Sequence, residues 1–300
     1  MNIASKGNIP QKNDGCVRLL HFSDIHISLH PSLRDLLFTK RILGYLNHLV
    51  RRRHRLHLDY LQKLAELMPE LQPDAVLCTG DLSSIGLATE FQAAEKLLEP
   101  FRQHNLIYIP GNHDRYVNDD SALDALRQTF RRCNPQGGNG DLSSSGGFTA
   151  NTLELDALPE IIFIKGLALL LLNPARPVPY HLSCGILDSA MEGKLIELLA
   201  SIPPDMPRAI ACHFPPLMPN GALAGWRHGL RGADYLADML KTGQVDAILS
   251  GHEHKPFLLK MPGGQSQLCA GSITLEGSYT ICDFPLPPPN NGESAQCRSL

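Results

Sequence analysis

The sequence is poor in the features that would place it in a membrane, in a disulfide-stapled scaffold or in a repeat array. Its most apolar stretch, Ile161 to Leu172, is interrupted by Lys165-Gly166 and falls short of the roughly 20 residues a membrane-spanning helix needs. That stretch reads instead as a β-hairpin turning at Lys165-Gly166. The chain is polar through Gly15 and lacks the apolar core of a signal peptide. Its 8 cysteines form no Cys-x-x-Cys pair, and Cys78, Cys212 and Cys282 sit in apolar runs, where a free thiol behaves as a small hydrophobe. This favours a reducing compartment over a disulfide framework, so a cytoplasmic location is expected. There is 1 tryptophan and only 6% aromatic content. Outside residues 40–55 no basic groove or aromatic series is apparent, so no nucleic-acid partner is expected. Net charge is −3 and identifies no partner. No repeat of solenoid period is present.

What the sequence does have is a recurring pattern. Short apolar runs, each the length of a buried strand, end in polar clusters. Val17–Phe22 runs into Asp24-Ile25-His26, and Ala75–Cys78 into Gly80-Asp81. Leu106–Ile109 is followed by Gly111-Asn112-His113-Asp114, Ala209–Cys212 by His213, and Ala247–Leu249 by Gly251-His252-Glu253-His254. In open α/β sheets, sites form outside the carboxyl ends of the strands. Carboxylate, amide and imidazole groups gathered at one rim approach the ligand set of two adjacent divalent metals. Residues two apart on extended backbone share a side, which would let Asp24 and His26, or His252 and His254, reach a common centre. Glu253 would then face away, and His21, further back on the first strand, is expected to be structural. Taken singly, Asp81 would be a helix N-cap before Leu82, Asn112 a turn former, and a strand-end histidine a hydrogen-bonded structural residue. Their joint occurrence argues for a metal site.

In that order the blocks Asp-x-His, Gly-Asp, Gly-Asn-His-Asp, His and Gly-His-x-His resemble the calcineurin-like metallophosphoesterases, over roughly residues 17–284. The resemblance implies a four-layer α/β/β/α sandwich of two mixed β-sheets flanked by helices. It implies that Asp24, His26 and His254 hold one metal, that Asn112, His213 and His252 hold a second, and that Asp81 bridges them. His113 would contact the phosphoryl oxygen and assist the leaving group, with Asp114 orienting it by hydrogen bonding. The reaction implied is direct attack on phosphorus by a metal-bridging hydroxide. Mixed nitrogen and oxygen ligands suit Mn, Fe or Zn better than Mg or Ca. A protein-binding scaffold on the same fold is the non-enzyme alternative, disfavoured because every ligand type is retained.

The expected organisation is one catalytic domain over 17–284, between a disordered N-terminus (1–16) and a disordered Pro-rich tail (285–300), with a flexible Gly/Ser loop at 135–147. Helices are expected over 58–71, 89–104, 121–132, 189–201 and 233–241. The strands Gln267–Ala270 and Ser278–Phe284 would complete the second sheet.

Between Asp24 and Asp81 lies a long crossover carrying a basic amphipathic helical insertion at 33–55. Leu36, Ile42, Leu43, Tyr45, Leu46, Leu49 and Val50 share one side of a helical wheel, and Lys40, Arg41, His48, Arg51 and Arg52 the other. Such a helix suits an anionic membrane surface or a lipid-bearing substrate. A packed helix with a solvated basic face is the alternative. Within the family, the insertion resembles the UDP-2,3-diacylglucosamine pyrophosphatases, so a lipid-linked nucleotide is the first substrate expectation, with peripheral contact at the inner membrane face through 33–55. A cyclic nucleotide or another phosphorylated small molecule is the alternative. Arg115, Arg176, His181, Trp226, Arg227 and His228 are candidate substrate contacts, and 221–231 a candidate loop lid.

Overall fold

The computed structural model describes residues 11–36, 40–47, 49–50, 55–135, 148–149 and 152–287. One mixed sheet has the strand order β13-β1-β2-β3: β1 (Cys16–Phe22), β2 (Ala75–Cys78) and β3 (Leu106–Tyr108) run parallel, and β13 (Thr280–Pro285) lies antiparallel to β1. The second has the order β11-β12-β10-β8-β6-β5-β4. Its central strands β6 (Leu167–Leu172), β8 (Arg208–Cys212), β10 (Ala247–Ser250) and β12 (Ser266–Cys269) are parallel. β5 (Glu160–Ile164) and β11 (Phe257–Lys260) pair antiparallel towards its edges, with β4 (Phe148–Thr149) outermost.

Side-chain alternation along β6 shows how the layers stack. Leu167, Leu169 and Leu171 enter the core shared with the first sheet, together with Val17, Leu19, Val76 and Ile107. Ala168, Leu170 and Leu172 face the other way, into a second core. There they meet α7 (Ser189–Ser201) and α8 (Ala233–Lys241) through Leu195, Leu236 and Leu240. The first sheet's outer face is covered by α3 (Asp59–Glu66), α5 (Ala88–Arg102) and α6 (Asp120–Cys133). This is the expected α/β/β/α sandwich.

The Lys165-Gly166 turn is as expected, both residues having positive φ (47° and 95°), as the favoured two-residue hairpin turn requires. The single helix expected over 58–71 is instead α3 followed by α4 (Met68–Leu71). Pro69 has no N–H to continue the ladder, so the first helix stops before it. The last strand, expected in the second sheet, joins the first, where Leu19 pairs with Cys282 and His21 with Thr280.

Parts of the two expected disordered segments, residues 11–16 and 285–287, are among the described residues. Lys12 reaches Asp74 at 2.7 Å, Cys16 opens β1, and Leu286 N donates to Gly15 O. Residues 1–10, 136–147 and 288–300, which hold most of the expected disordered and loop segments, lie outside the described residues. So do 37–39, 48 and 51–54, including His48, Arg51 and Arg52.

The described part of the insertion is not one helix but α1 (Leu33–Leu36) and α2 (Arg41–Asn47). Arg41, expected on the solvated face, is buried and donates to the carbonyls of Ile85 and Gly86 at 3.1 and 2.9 Å. Two carbonyl partners offset the desolvation of the guanidinium and tie α2 to the loop after β2. Leu33, Ile42, Leu43, Leu46 and Val50 are exposed. No described helix is long and apolar enough to cross a membrane.

Candidate metal centre

Strand register brings the polar clusters to one level. Phe22 pairs with Cys78 and Cys78 with Tyr108, so β1, β2 and β3 end flush. In the second sheet Leu249 pairs with Ala211 and Leu172 with Cys212, so β8 and β10 end together too. The two rims are joined across the seam. His252 N donates to Asp24 Oδ2 at 3.0 Å, Ile273 N to Ser23 O at 3.0 Å, and Ser272 Oγ to Asp24 O at 2.7 Å.

Asp24, His26, Asp81, His252 and His254 all have positive φ, between 52° and 72°. Such backbone is unusual for non-glycine residues and gathers at functional sites. Convergence therefore does not follow the extended alternation expected from sequence. Asp24 and His26 meet because both are left-handed, and Glu253, expected to face away, borders the same cavity as His252 and His254. Space is equally constrained. A Cβ on Gly111 would strike Asp81 Oδ1, and one on Gly251 would strike Ser23 Oγ and Asp24 Oδ2.

One group comprises Asp24, His26, Asp81 and His254, whose ligand atoms lie within 4.8 Å of one another. His254 Nε2 and His26 Nε2 are 3.3 and 3.5 Å from Asp24 Oδ1, and 2.9 Å from each other. Among the described residues Asp24 Oδ1 is buried and accepts no hydrogen bond. Burial alone would raise the Asp24 carboxyl, yet the His254 and His26 rings hold it well below the ordinary carboxylate range.

A second group forms around Asn112. His213 Nδ1 lies 2.6 Å from the Thr79 carbonyl, and His252 Nε2 lies 2.5 Å from the His228 carbonyl. A carbonyl only accepts, so each of those nitrogens carries a proton. The other ring nitrogen of each histidine, when neutral, presents a lone pair. His213 Nε2 faces Asn112 Oδ1 at 3.1 Å and Asp81 Oδ2 at 3.4 Å, and His252 Nδ1 faces Asn112 Oδ1 at 2.9 Å. Lone pairs converging on lone pairs repel unless a cation lies among them, and carbonyls that fix the tautomer are the usual outer support of metal-binding histidines. Both groups therefore fit divalent ions. Asp81 Oδ2 is also 3.8 Å from His26 Nε2, so its carboxylate reaches both groups. Burial opposes its ionisation, but His213, His113 and His26 hold it far below the ordinary range. A proton competes with a cation for this place: burial depresses His213, yet Asp81 lifts it to about 9, while burial and the His213 charge press His252 down to about 4.

His113 N donates to Asp81 Oδ1 at 2.8 Å, and its Nδ1 lies 2.6 Å from the Ser84 carbonyl. Nδ1 thus carries the proton. The ring stacks on Tyr116 at 5.4 Å between centroids. Asp114 faces backbone amides and a tyrosine. Its carboxylate accepts from Ser83 N, Gly111 N and Tyr108 Oη at 2.9, 3.0 and 2.8 Å. It braces the turns that carry Asp81 and His113, while Ser84 orients the His113 ring. Burial and the charge of Asp81 raise Asp114 to about 6. His21, expected to be structural, is buried between the Thr79 and Thr280 hydroxyls.

The groups open into a cavity of about 370 Å³ bordered by Lys40, Tyr116, Tyr180, Ser183 and His228. Of the six candidate substrate contacts only His228 borders it. Arg176 pairs with Asp188, Trp226 is exposed beneath Arg227, His181 packs against Tyr180, and Arg115 is half-buried elsewhere. In the candidate lid, Leu230–Arg231 forms β9, paired with β7 (Gly185–Ile186). No motif marks Tyr116 or Ser183, and Lys40 is legible only as one of several basic residues of the insertion. Their role appears only once distant segments meet.

A profile of the family described as calcineurin-like phosphoesterase matches residues 17–256. The chain is 29% identical over 217 residues to a cAMP/cGMP dual specificity phosphodiesterase of Mycobacterium tuberculosis, covering 69% of this chain and 59% of that protein. It is 28% identical over 201 residues to a 3',5'-cyclic-nucleotide phosphodiesterase of Nostoc sp., covering 67% and 62%. The chain thus spans about three fifths of the length of these curated relatives. Among solved structures it resembles a dimetal phosphatase from Danio rerio, with 14% identity, 91% and 93% of the two chains covered and a TM-score of 0.51. It also resembles a purple acid phosphatase from yellow lupin, with 12% identity, 92% and 47% covered and a TM-score of 0.54. Those two likenesses establish the fold. The profile, matching most of the chain, establishes that this protein belongs to the calcineurin-like phosphoesterase family.

Proposed function

We propose that the protein is a metal-dependent phosphodiesterase of small molecules, with a cyclic nucleotide as the foremost substrate class. The observation that carries this reading is the sharing of one carboxylate, Asp81, by two groups of converging ligand atoms. Asp24, His26 and His254 would hold one divalent ion and Asn112, His213 and His252 the other, with Asp81 common to both. Two ions held so close would polarise the phosphoryl oxygens and neutralise charge developing in an in-line displacement.

The rest is done by the chain's own groups. Asp24 and Asp81 stay ionised, keeping the site ready for cations. The Ser84 carbonyl pins the His113 ring through Nδ1, and its Nε2 would share a proton with the departing oxygen. Asp114 fixes the backbone that presents both. The two curated relatives, both named as cyclic-nucleotide phosphodiesterases, favour that substrate class.

A second reading, hydrolysis of a lipid-linked nucleotide such as UDP-2,3-diacylglucosamine, draws on one feature. An apolar cavity of about 530 Å³ adjoins His26 and is bordered by Leu29, Leu49, Leu56, Leu58 and Leu97. The deciding experiment is hydrolysis of cyclic AMP and of UDP-2,3-diacylglucosamine by Mn-loaded protein in detergent. Release of AMP supports the first reading, and UMP with lipid monophosphate transfers support to the second. Failure with both, and with bis-p-nitrophenyl phosphate, in protein holding two ions per chain would overturn both.

A further inference from the structure

Two adjacent basic residues of the insertion have opposite surroundings. The Arg41 guanidinium is occupied by the Ile85 and Gly86 carbonyls. Lys40 instead borders the metal cavity, with Nζ 2.9 Å from the Val178 carbonyl and 4.3 Å from the centre of the Tyr116 ring. Among the described residues no carboxylate pairs with it. A half-buried ammonium with a carbonyl and an aromatic face as partners keeps N–H donors for a further acceptor. The cavity it borders also holds Asp81, Asn112, His113, His252 and His254. Tyr116 stacks on His113 at 5.4 Å with 15° between the rings, so Lys40 stands one aromatic ring away from the group facing the leaving oxygen.

We propose that Lys40 is a specificity residue: its ammonium takes an anionic oxygen, a carboxylate or phosphate, on the departing half of the substrate, one ring width beyond His113. A cation held without a counter-charge beside a concave site is a poised anion receptor. Burial lowers Lys40 to about 8, and an arriving anion would reverse that effect. The attachment to Val178 matters as well, because it holds the flexible lysine stem against the opposite wall before substrate arrives. The inference rests on the phosphodiester reading of the neighbouring metal centre and extends its substrates, beyond cyclic nucleotides with their single charge, to diesters that carry a second negative group.

The test compares two methyl aryl phosphodiesters whose departing phenol carries a para-carboxylate or a para-carboxamide, using Mn-loaded protein. Wild type is expected to favour the carboxylate by about tenfold in kcat/KM, the scale of one charge-assisted hydrogen bond. In Lys40→Met and Lys40→Gln the ratio should fall to about one, while Lys40→Arg retains a clear preference. Thermal midpoints and metal content within error of wild type identify folded variants. A ratio unchanged in both neutral variants would overturn the proposal. Calorimetric binding of (4-carboxybenzyl)methylphosphinate and its carboxamide supplies a readout without turnover. Absent hydrolysis of either ester counts against the phosphodiester reading. Loss of the carboxylate preference in binding on Lys40→Met still supports the role of Lys40, and an equal preference in both proteins removes it.

Discussion

The main-chain N–H of His252 donates to Oδ2 of Asp24 at 3.0 Å, linking the rims of two different sheets across 228 positions of sequence. That bond uses one carboxylate oxygen and leaves Oδ1 turned towards His26 and His254, buried without a hydrogen bond. The candidate metal centre is built on this seam. The groups it gathers lie at strand ends that neither sheet could bring together alone.

His113→Ala should keep both ions and lose most of its turnover. His113 donates its backbone N–H to Asp81, a bond that alanine retains. Its ring is positioned by Ser84 for proton transfer, a role worth about 10²–10⁴-fold in rate. Metal analysis beside kcat tests this, and a near-normal rate would remove His113 from the mechanism.

Asp81→Ala should lose both ions, because its Oδ2 lies near His26 on one side and His213 on the other. Stoichiometry by elemental analysis after gel filtration is the measurement. Two ions retained per chain would show that Asp81 does not bridge.

Arg41→Ala should destabilise the fold by roughly 1–3 kcal/mol, since it strips hydrogen bonds from two buried carbonyls. Urea unfolding with an unchanged m-value would report it. An unaltered midpoint would return Arg41 to a solvated surface role.

Glu90 should make stability depend on pH. Burial raises its carboxyl from 4.5 to about 7, although the N–H groups of Ile85, Leu87 and Leu29 lower it. The folded state therefore binds the proton more tightly than the unfolded one, and stability falls as pH rises from about 4.5 to about 7. The stability from this group is fully present below about 4.5 and lost above about 7, a change of about 3 kcal/mol. Glu90→Gln should flatten that slope, measured as the wild-type minus variant difference in unfolding free energy across the window. A difference that stays constant from pH 4.5 to 7 would contradict the shift.

Much of the fold was legible because it is written in contiguous residues. Leu167–Leu172 is apolar on both faces because helices cover one and the other sheet covers the second. Positions that depend on distant partners were not legible. Nothing local assigns Thr280–Pro285 to the first sheet, because its pairing with β1 joins the two ends of the chain. His252 and His254 look equivalent in sequence, yet one faces Asn112 and the other Asp24. Left-handed backbone at both overrides strand alternation. Asp114 is adjacent to His113, but its carboxylate meets Tyr108, Gly111 and Ser83 instead.

The sequence by itself determined that apolar strands end in carboxylates, an asparagine and histidines, because burial pattern and residue chemistry are properties of neighbouring positions. Tertiary structure alone decided how those ends share Asp81, which carbonyls set the histidine tautomers, and why Arg41 is buried while Lys40 faces the cavity. Those outcomes depend on groups brought together from far along the chain, where distance and desolvation, rather than residue type, select the partner.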